Sequence, residues 1–134
     1  MVVDTSAILA IVFGEPERDS FVQSIQRTDR ALISTVSILE ARMLVHGRRG
    51  QRAVLMVEDL LGLPEFEAVA PDMAQANAAY AAFVVYGKGS GHIAQLNFGD
   101  TFSYALAKVR HLPLLYKGED FSRTDLVSAL SIPP

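Results

Sequence analysis

Apolar positions along this chain fall into two kinds of run. Short apolar runs stand at Val2-Val3, Ala31-Leu32-Ile33-Ser34 and Leu112–Tyr116, and Phe66–Val69, interrupted by Glu67 and closed by Pro71, is a plausible further strand. Runs this short, bounded by turn formers, predict strands, and the β-branched pair Val2-Val3 predicts a buried one. Between them the apolar residues recur at helical spacing. Ser6–Phe13 predicts a short helix ended by Gly14, and Glu15-Pro16-Glu17 restarts one whose apolar face is Phe21, Val22 and Ile25. A helix beginning near Thr35 is expected to turn Ile38, Leu39, Met43 and Leu44 inward. Gln51–Leu61 predicts another, with Val54, Leu55, Val57, Leu60 and Leu61 as its apolar side. The alanine-rich run from Asp72 to Tyr86 is helical on propensity alone. The glycines of Gly87-Lys88-Gly89-Ser90-Gly91-His92 break it into a flexible loop, and Asn97-Phe98-Gly99-Asp100 turns into a helix over Thr101–Val109. A weak fifth strand is signalled near Val127–Leu130.

Strands alternating with helices predict an α/β sandwich around a mainly parallel sheet of four to five strands. No linker, repeat or low-complexity block interrupts the pattern, so one domain over residues 1–134 is expected. An all-α domain with extended connections is the alternative.

Composition narrows the classes. Half of the 134 residues are hydrophobic and a fifth are charged, which excludes global disorder. With no cysteine, neither a disulfide framework nor a thiolate zinc site can form. The net charge of −3 requires any nucleic-acid partner to be met by a local basic patch. A strand at the first residues and no apolar run near ~20 residues predict a cytoplasmic protein with neither leader nor membrane anchor.

The predicted topology gathers acids. Asp4 ends the first strand, Glu40 lies about one turn into the helix after the second, Asp100 begins the helix feeding the fourth, and Asp120 follows that strand. In parallel α/β sheets the ligand sits at the C-terminal ends of the strands. Each acid has an ordinary alternative: Asp100 a helix cap, Glu40 a solvated helix residue, Asp120 a turn former. A cluster of carboxylates there repels itself and needs a cation, and an all-oxygen site favours Mg²⁺ or Mn²⁺. Such an ion can turn water into a nucleophile and neutralise charge on a phosphoryl oxygen, the demands of phosphodiester hydrolysis.

Four stretches carry a resemblance. They are Val3-Asp4-Thr5-Ser6-Ala7, Ser34-Thr35-Val36-Ser37-Ile38-Leu39-Glu40, Asn97-Phe98-Gly99-Asp100-Thr101-Phe102-Ser103-Tyr104-Ala105-Leu106-Ala107, and Leu114-Leu115-Tyr116-Lys117-Gly118-Glu119-Asp120-Phe121. In this order and spacing they resemble PIN-domain ribonucleases, and more narrowly the VapC toxins of bacterial toxin–antitoxin pairs, over nearly the whole chain. The resemblance implies a PIN-like α/β/α sandwich and an endoribonuclease with a Mg²⁺ cofactor, or Mn²⁺ in its place. The metal would be held by the positions of Asp4 and Asp100. Glu40 would complete the acidic pocket, and a hydroxyl at Thr5 or Ser6 would orient it. Many relatives carry an acid at the position of Gly118 as well as at Asp120; here the fourth acid is Asp120 or Glu119. The resemblance also implies a homodimer and a VapB-like antitoxin that covers the active site.

Arg42, Arg48, Arg49 and Arg52 form the one basic cluster, able to hold RNA phosphates, cap a helix end or dock an acidic antitoxin segment. Lys88 and His92 on the glycine-rich loop, beside Tyr86, are further candidates for gripping single-stranded RNA. Ala74–Val85 holds more apolar surface than one small sheet needs, which suits self-association or a partner helix. Two other classes compete with the nuclease. A phosphorylated receiver domain normally pairs acids at the first strand, and Val2-Val3-Asp4 has no pair; the P-loop glycine pattern is absent as well. A catalytically inactive PIN-like binding module would keep the fold for partner contact, and retention of all the acids argues against it.

Overall fold

A computed structural model describes residues 1–131. Its elements are β1 (Val2–Val3), α1 (Thr5–Val12), α2 (Arg18–Gln26), β2 (Ala31–Ser34), α3 (Thr35–Arg49), α4 (Val54–Leu61), β3 (Phe66–Val69), α5 (Met73–Tyr86), α6 (Phe98–Arg110) and β4 (Leu114–Leu115). The four strands form one sheet in the order β3-β2-β1-β4, and every pairing is parallel.

Period-two alternation sends successive strand residues to opposite faces. Val3, Ile33 and Leu115 join the core cluster that α1, α2, α3 and α4 cover with Ile8, Phe21, Val45 and Val57. Val2, Leu32 and Leu114 join a second cluster closed by Ala82 of α5 and Leu106 of α6, with Phe121 beyond β4. Both central strands are therefore buried on two sides, which is why they read as unbroken apolar runs. Each fully buried Val, Leu or Ile contributes about 1.5–3 kcal/mol. That burial, more than a ladder two residues long, holds β1 and β4 in place.

The expected α/β/α architecture is present, with four differences in detail. The fifth strand near Val127–Leu130 shrinks to a single parallel bridge, Leu114 with Ser128, followed by a 3-10 turn. Gln51–Leu61 is divided into a 3-10 turn and α4, after Gly50 adopts a positive φ. The glycine-rich loop is pinned: the Lys88 N–H donates to the Leu96 carbonyl (3.0 Å) and the Leu96 N–H to the Tyr86 carbonyl (2.8 Å). The largest difference concerns α3. Its buried face is Ser37, Ala41 and Val45, while Leu39 and Met43 are 55% and 64% exposed and Leu44 is exposed too. Small residues at i, i+4 and i+8 let α3 lie close on the sheet, and larger apolar side chains on the neighbouring stripe point away. Leu55 of α4 is likewise exposed, while Val57 is buried.

Candidate active site

The parallel sheet brings the C-terminal ends of β1, β2 and β4 to one edge. Asp4 follows β1 directly and is buried at 4% exposure. It caps α1: its Oδ2 accepts from the Ser6 N–H (2.9 Å) and from the Ser6 hydroxyl (2.6 Å). Asp100 is the third residue of α6 and half of a capping box. Its Oδ2 accepts from the Asn97 N–H (2.9 Å), while the Asn97 side chain accepts from the Asp100 N–H (2.9 Å). Both aspartates thus commit Oδ2 to a helix start. No protein donor among the described residues reaches either Oδ1. Capping and ligand holding coexist in the same side chain, because capping occupies one oxygen and fixes the aim of the other.

Glu40 lies in the second turn of α3 against the backbone of Gly99 in α6. A Cβ built on Gly99 would stand 2.2 Å from Glu40 Oε2. The missing side chain is therefore a cradle for the Glu40 carboxylate, beside the positive end of a helix dipole. Asp120 is exposed in the turn after β4. Burial pushes the Asp100 carboxyl up to about 7; the Asn97 N–H opposes that rise, and the charges of Asp4, Asp120 and Glu40 add to it. Asp100 is thus the centre of a like-charged group.

Asp4, Glu40, Asp100 and Asp120 share one neighbourhood, yet among the described residues no three acids or histidines stand in a ready metal-coordinating cluster. These two facts describe different distances. Repulsion is felt beyond coordination range, and Mg²⁺ is bound through one or two carboxylates with water filling its other positions. The chemistry of the donor set fits such an ion: two uncommitted aspartate oxygens, a third carboxylate in a glycine cradle, and no sulfur.

Of the hydroxyls proposed to orient the pocket, Ser6 contacts Asp4, whereas Thr5 Oγ1 donates to the Ser37 carbonyl (3.3 Å). Glu119 pairs with Arg123 (2.7 Å), and Asp120 is the acid whose charge reaches Asp100.

The basic candidates lie elsewhere. Arg48 and Arg49 occupy the last turn of α3, about 12–14 Å along the helix from Glu40 at 1.5 Å per residue. Their guanidinium groups sit 5.3 and 5.0 Å from the centre of the Phe13 ring, at the end of α1. Arg42 is tied to Glu58 by two bonds of 2.6 and 3.0 Å. His92 Nδ1 accepts from the Ala94 N–H (3.0 Å) and its ring meets the edge of Tyr86 (4.9 Å), so it holds the loop together. Lys88 is exposed.

Residue-by-residue reading of the sequence missed three features. The Lys117 N–H donates to Ser6 Oγ (3.0 Å), and its ammonium group contacts Glu15 and Glu17. Ser37 and Ser103 share a buried hydroxyl contact (3.2 Å) between α3 and α6. A cleft of about 340 Å³ between α5 and α6 is lined by Tyr80, Phe83, Phe98 and Phe102. Only the cleft had a signal in the sequence, the surplus apolar residues of Ala74–Val85.

A family model described as the PIN domain matches residues 1–127. The chain belongs to the PIN-domain family. Among curated relatives it is 41% identical over 128 residues to Ribonuclease VapC30 of Mycobacterium tuberculosis, covering 96% of this chain and 97% of that one. It is 40% identical over 126 residues to Ribonuclease VapC42 of the same organism, covering 94% and 96%. This PIN-domain chain is therefore a member of the VapC ribonuclease family, as the four stretches implied. Two solved structures share its fold. One is VapC20 of Mycobacterium tuberculosis, described as a Sarcin-Ricin loop cleaving toxin (TM-score 0.76, 17% identity, 94% and 95% coverage). The other is VapBC2 from Rickettsia felis bound to a DNA fragment from its promoter (TM-score 0.75, 13% identity, 95% and 94% coverage). No helix among the described residues is long and apolar enough to cross a membrane.

Proposed function

We propose that this PIN-domain protein is a Mg²⁺- or Mn²⁺-dependent endoribonuclease, the toxin of a pair with a VapB-like antitoxin. The observation that carries the reading is Asp100, pushed up to about 7 among three further carboxylates at the C-terminal edge of a parallel sheet. A carboxylate left in such surroundings favours a proton or a metal ion over remaining bare. Asp4, Glu40 and Asp100 are also the acids that the VapC resemblance assigns to the pocket, and Asp120 is one of the two it leaves for the fourth position.

Asp4 and Asp100 would hold the ion through their Oδ1 atoms, each aimed by a cap that fixes Oδ2. A bound divalent ion supplies a lowered pKa for water and positive charge beside a phosphoryl oxygen. Ser6 keeps Asp4 oriented. Glu40, in its cradle at Gly99, accepts the proton of the attacking water or steadies that water by a hydrogen bond. Asp120 closes the pocket from the β4 side.

Exposed apolar groups supply partner surfaces. Met73, Tyr80, Phe83 and Val84 are 72%, 70%, 47% and 55% exposed along α5, beside the cleft shared with α6. A face of this kind suits a second copy of the chain, and we assign it to a homodimer. Leu39 and Met43 on α3 and Leu55 and Met56 on α4 are exposed as well, and apolar groups of this kind suit an antitoxin segment.

The test is cleavage of total RNA by protein freed of any copurifying antitoxin, with Mn²⁺ or Mg²⁺, against EDTA and Asp100→Asn controls. Cleavage that disappears in both controls is the expected result. No cleavage, together with no divalent-ion shift in unfolding temperature, would favour the inactive binding module.

A further inference from the structure

Lys117 belongs to neither basic candidate surface, yet its backbone is tied to the site and its side chain to the corner beside it. Through its backbone, the N–H donates to Ser6 Oγ at 3.0 Å, and that hydroxyl donates to Asp4 Oδ2 at 2.6 Å. Through its side chain, the ammonium group bridges Glu15 and Glu17, the latter at 3.2 Å. Glu15 is folded back onto α1 by its own N–H, which donates to the Ala10 carbonyl at 2.9 Å. The glutamates thus stand on the α1–α2 corner, and the lysine joins that corner to the turn after β4.

That turn needs the tether. The last ladder bond between β1 and β4 runs from the Asp4 N–H to the Leu115 carbonyl (2.9 Å). Between there and Asp120, the one backbone N–H bonded among the described residues is that of Lys117. Gly118, with φ +98°, follows at once and gives the segment its freedom. Asp120 stands two residues further on. Fixing Lys117 therefore fixes the hydroxyl that aims Asp4 and the point from which the turn to Asp120 departs.

We propose that Lys117 is a positioning residue of the carboxylate pocket, held by Glu15 and Glu17 so that its N–H keeps the Ser6 hydroxyl on Asp4. The inference rests on the metal-nuclease reading above. It differs from the other role open to a lysine near such a site, direct contact with an RNA phosphate. A positioning lysine works while paired to its glutamates; a phosphate-binding lysine works better when they are neutralised.

The experiment compares wild type, Lys117→Met, Lys117→Arg and the double variant Glu15→Gln/Glu17→Gln, with folding checked by circular dichroism. Mn²⁺ uptake is read from loss of the free-ion electron paramagnetic resonance signal, without RNA, and KM and kcat are measured separately. Loss of a group that orients a metal ligand costs about 10–100-fold in metal affinity or activity. A drop of about tenfold in Mn²⁺ affinity and in kcat is therefore expected in Lys117→Met and in the double variant, with KM for RNA within about twofold. Lys117→Arg, which keeps the cation between the glutamates, should recover most of it. Mn²⁺ affinity unchanged in a folded Lys117→Met, or tighter RNA binding in the double variant, would overturn the proposal while leaving the nuclease reading intact. If Lys117→Met does not fold, the double variant decides alone, unchanged Mn²⁺ affinity overturning the proposal. A wild type that takes up no Mn²⁺ would overturn both.

Discussion

The two ends of α3 carry their charges in opposite ways. At its C-terminal end Arg48 and Arg49 lie over the Phe13 ring, and midway Arg42 is paired to Glu58. Each of these cations has a partner supplied by the fold. In its second turn Glu40 is set in a glycine cradle beside Asp100, which already feels Asp4 and Asp120. These acids have other acids as neighbours. Elsewhere the same chain pairs its charges, as in Arg30 with Glu67 and Lys108 with Asp125. A charge satisfied by its neighbours is part of the structure, whereas a group of like charges left together marks where an ion from outside belongs.

The largest effect is expected at Asp100. Asp100→Asn removes a proposed metal ligand but can still accept at the capping box, so the fold should persist. RNA cleavage should fall by about a hundredfold or more, as for loss of a group that stabilises transition-state charge. Gly99→Ala comes next. The added methyl must displace Glu40, and misplacing a reacting group by about 1 Å can cost about a hundredfold in rate, with little change in unfolding temperature.

Asp100 also makes the acidic end respond to pH. Its folded pKa of about 7 lies above the ordinary value of 3.8, so the metal-free folded state binds the proton more tightly than the unfolded chain. The stability from this group is complete below the unfolded value and is lost as pH rises through about 7. Chemical unfolding without metal should show wild type losing stability from about pH 4 to about pH 7, a trend that Asp100→Asn removes. After discounting for solvent screening, the difference should be about 1–2 kcal/mol. Mn²⁺ must displace that proton, so its affinity should weaken by up to about tenfold per unit as pH falls below about 7.

The smallest effects are expected at the other end of α3. Arg48→Ala/Arg49→Ala should cost about 0.5–1 kcal/mol per exposed cation–π contact in denaturant unfolding, and leave cleavage within about twofold. A large rise in KM for RNA in that variant would move these arginines from structure to substrate contact.

Much of this arrangement was legible in the chain. Apolar runs marked β1, β2 and β4 because the sheet is covered on both faces there, whereas the edge strand β3 carries the exposed Glu67. Asp4 and Asp100 were legible because each begins a helix immediately after a recognisable boundary. Of the inward positions read on α3, Ile38 packs against the core, but Leu39, Met43 and Leu44 were read wrongly, since they outrank Ala41 in hydrophobicity while close packing on a sheet favours the small residue. The fifth strand failed for a related reason: a single bridge to Ser128 leaves Val127 and Leu130 largely exposed.

Local sequence determined where strands and helices begin, which acids stand at those boundaries, and that no thiolate site could form. It did so because period, caps and residue chemistry act within a few residues. Tertiary structure alone decided that Glu40 meets Gly99, that Ser6 rather than Thr5 holds Asp4, and that Lys117 ties the β4 turn to the α1–α2 corner. Those contacts join residues 59, 2 and about 100 positions apart in the chain. For Glu40 and Lys117 the separation itself hides the contact. For Ser6 the choice between adjacent hydroxyls depends on which face of α1 packs against α3, and that is a property of the assembled core.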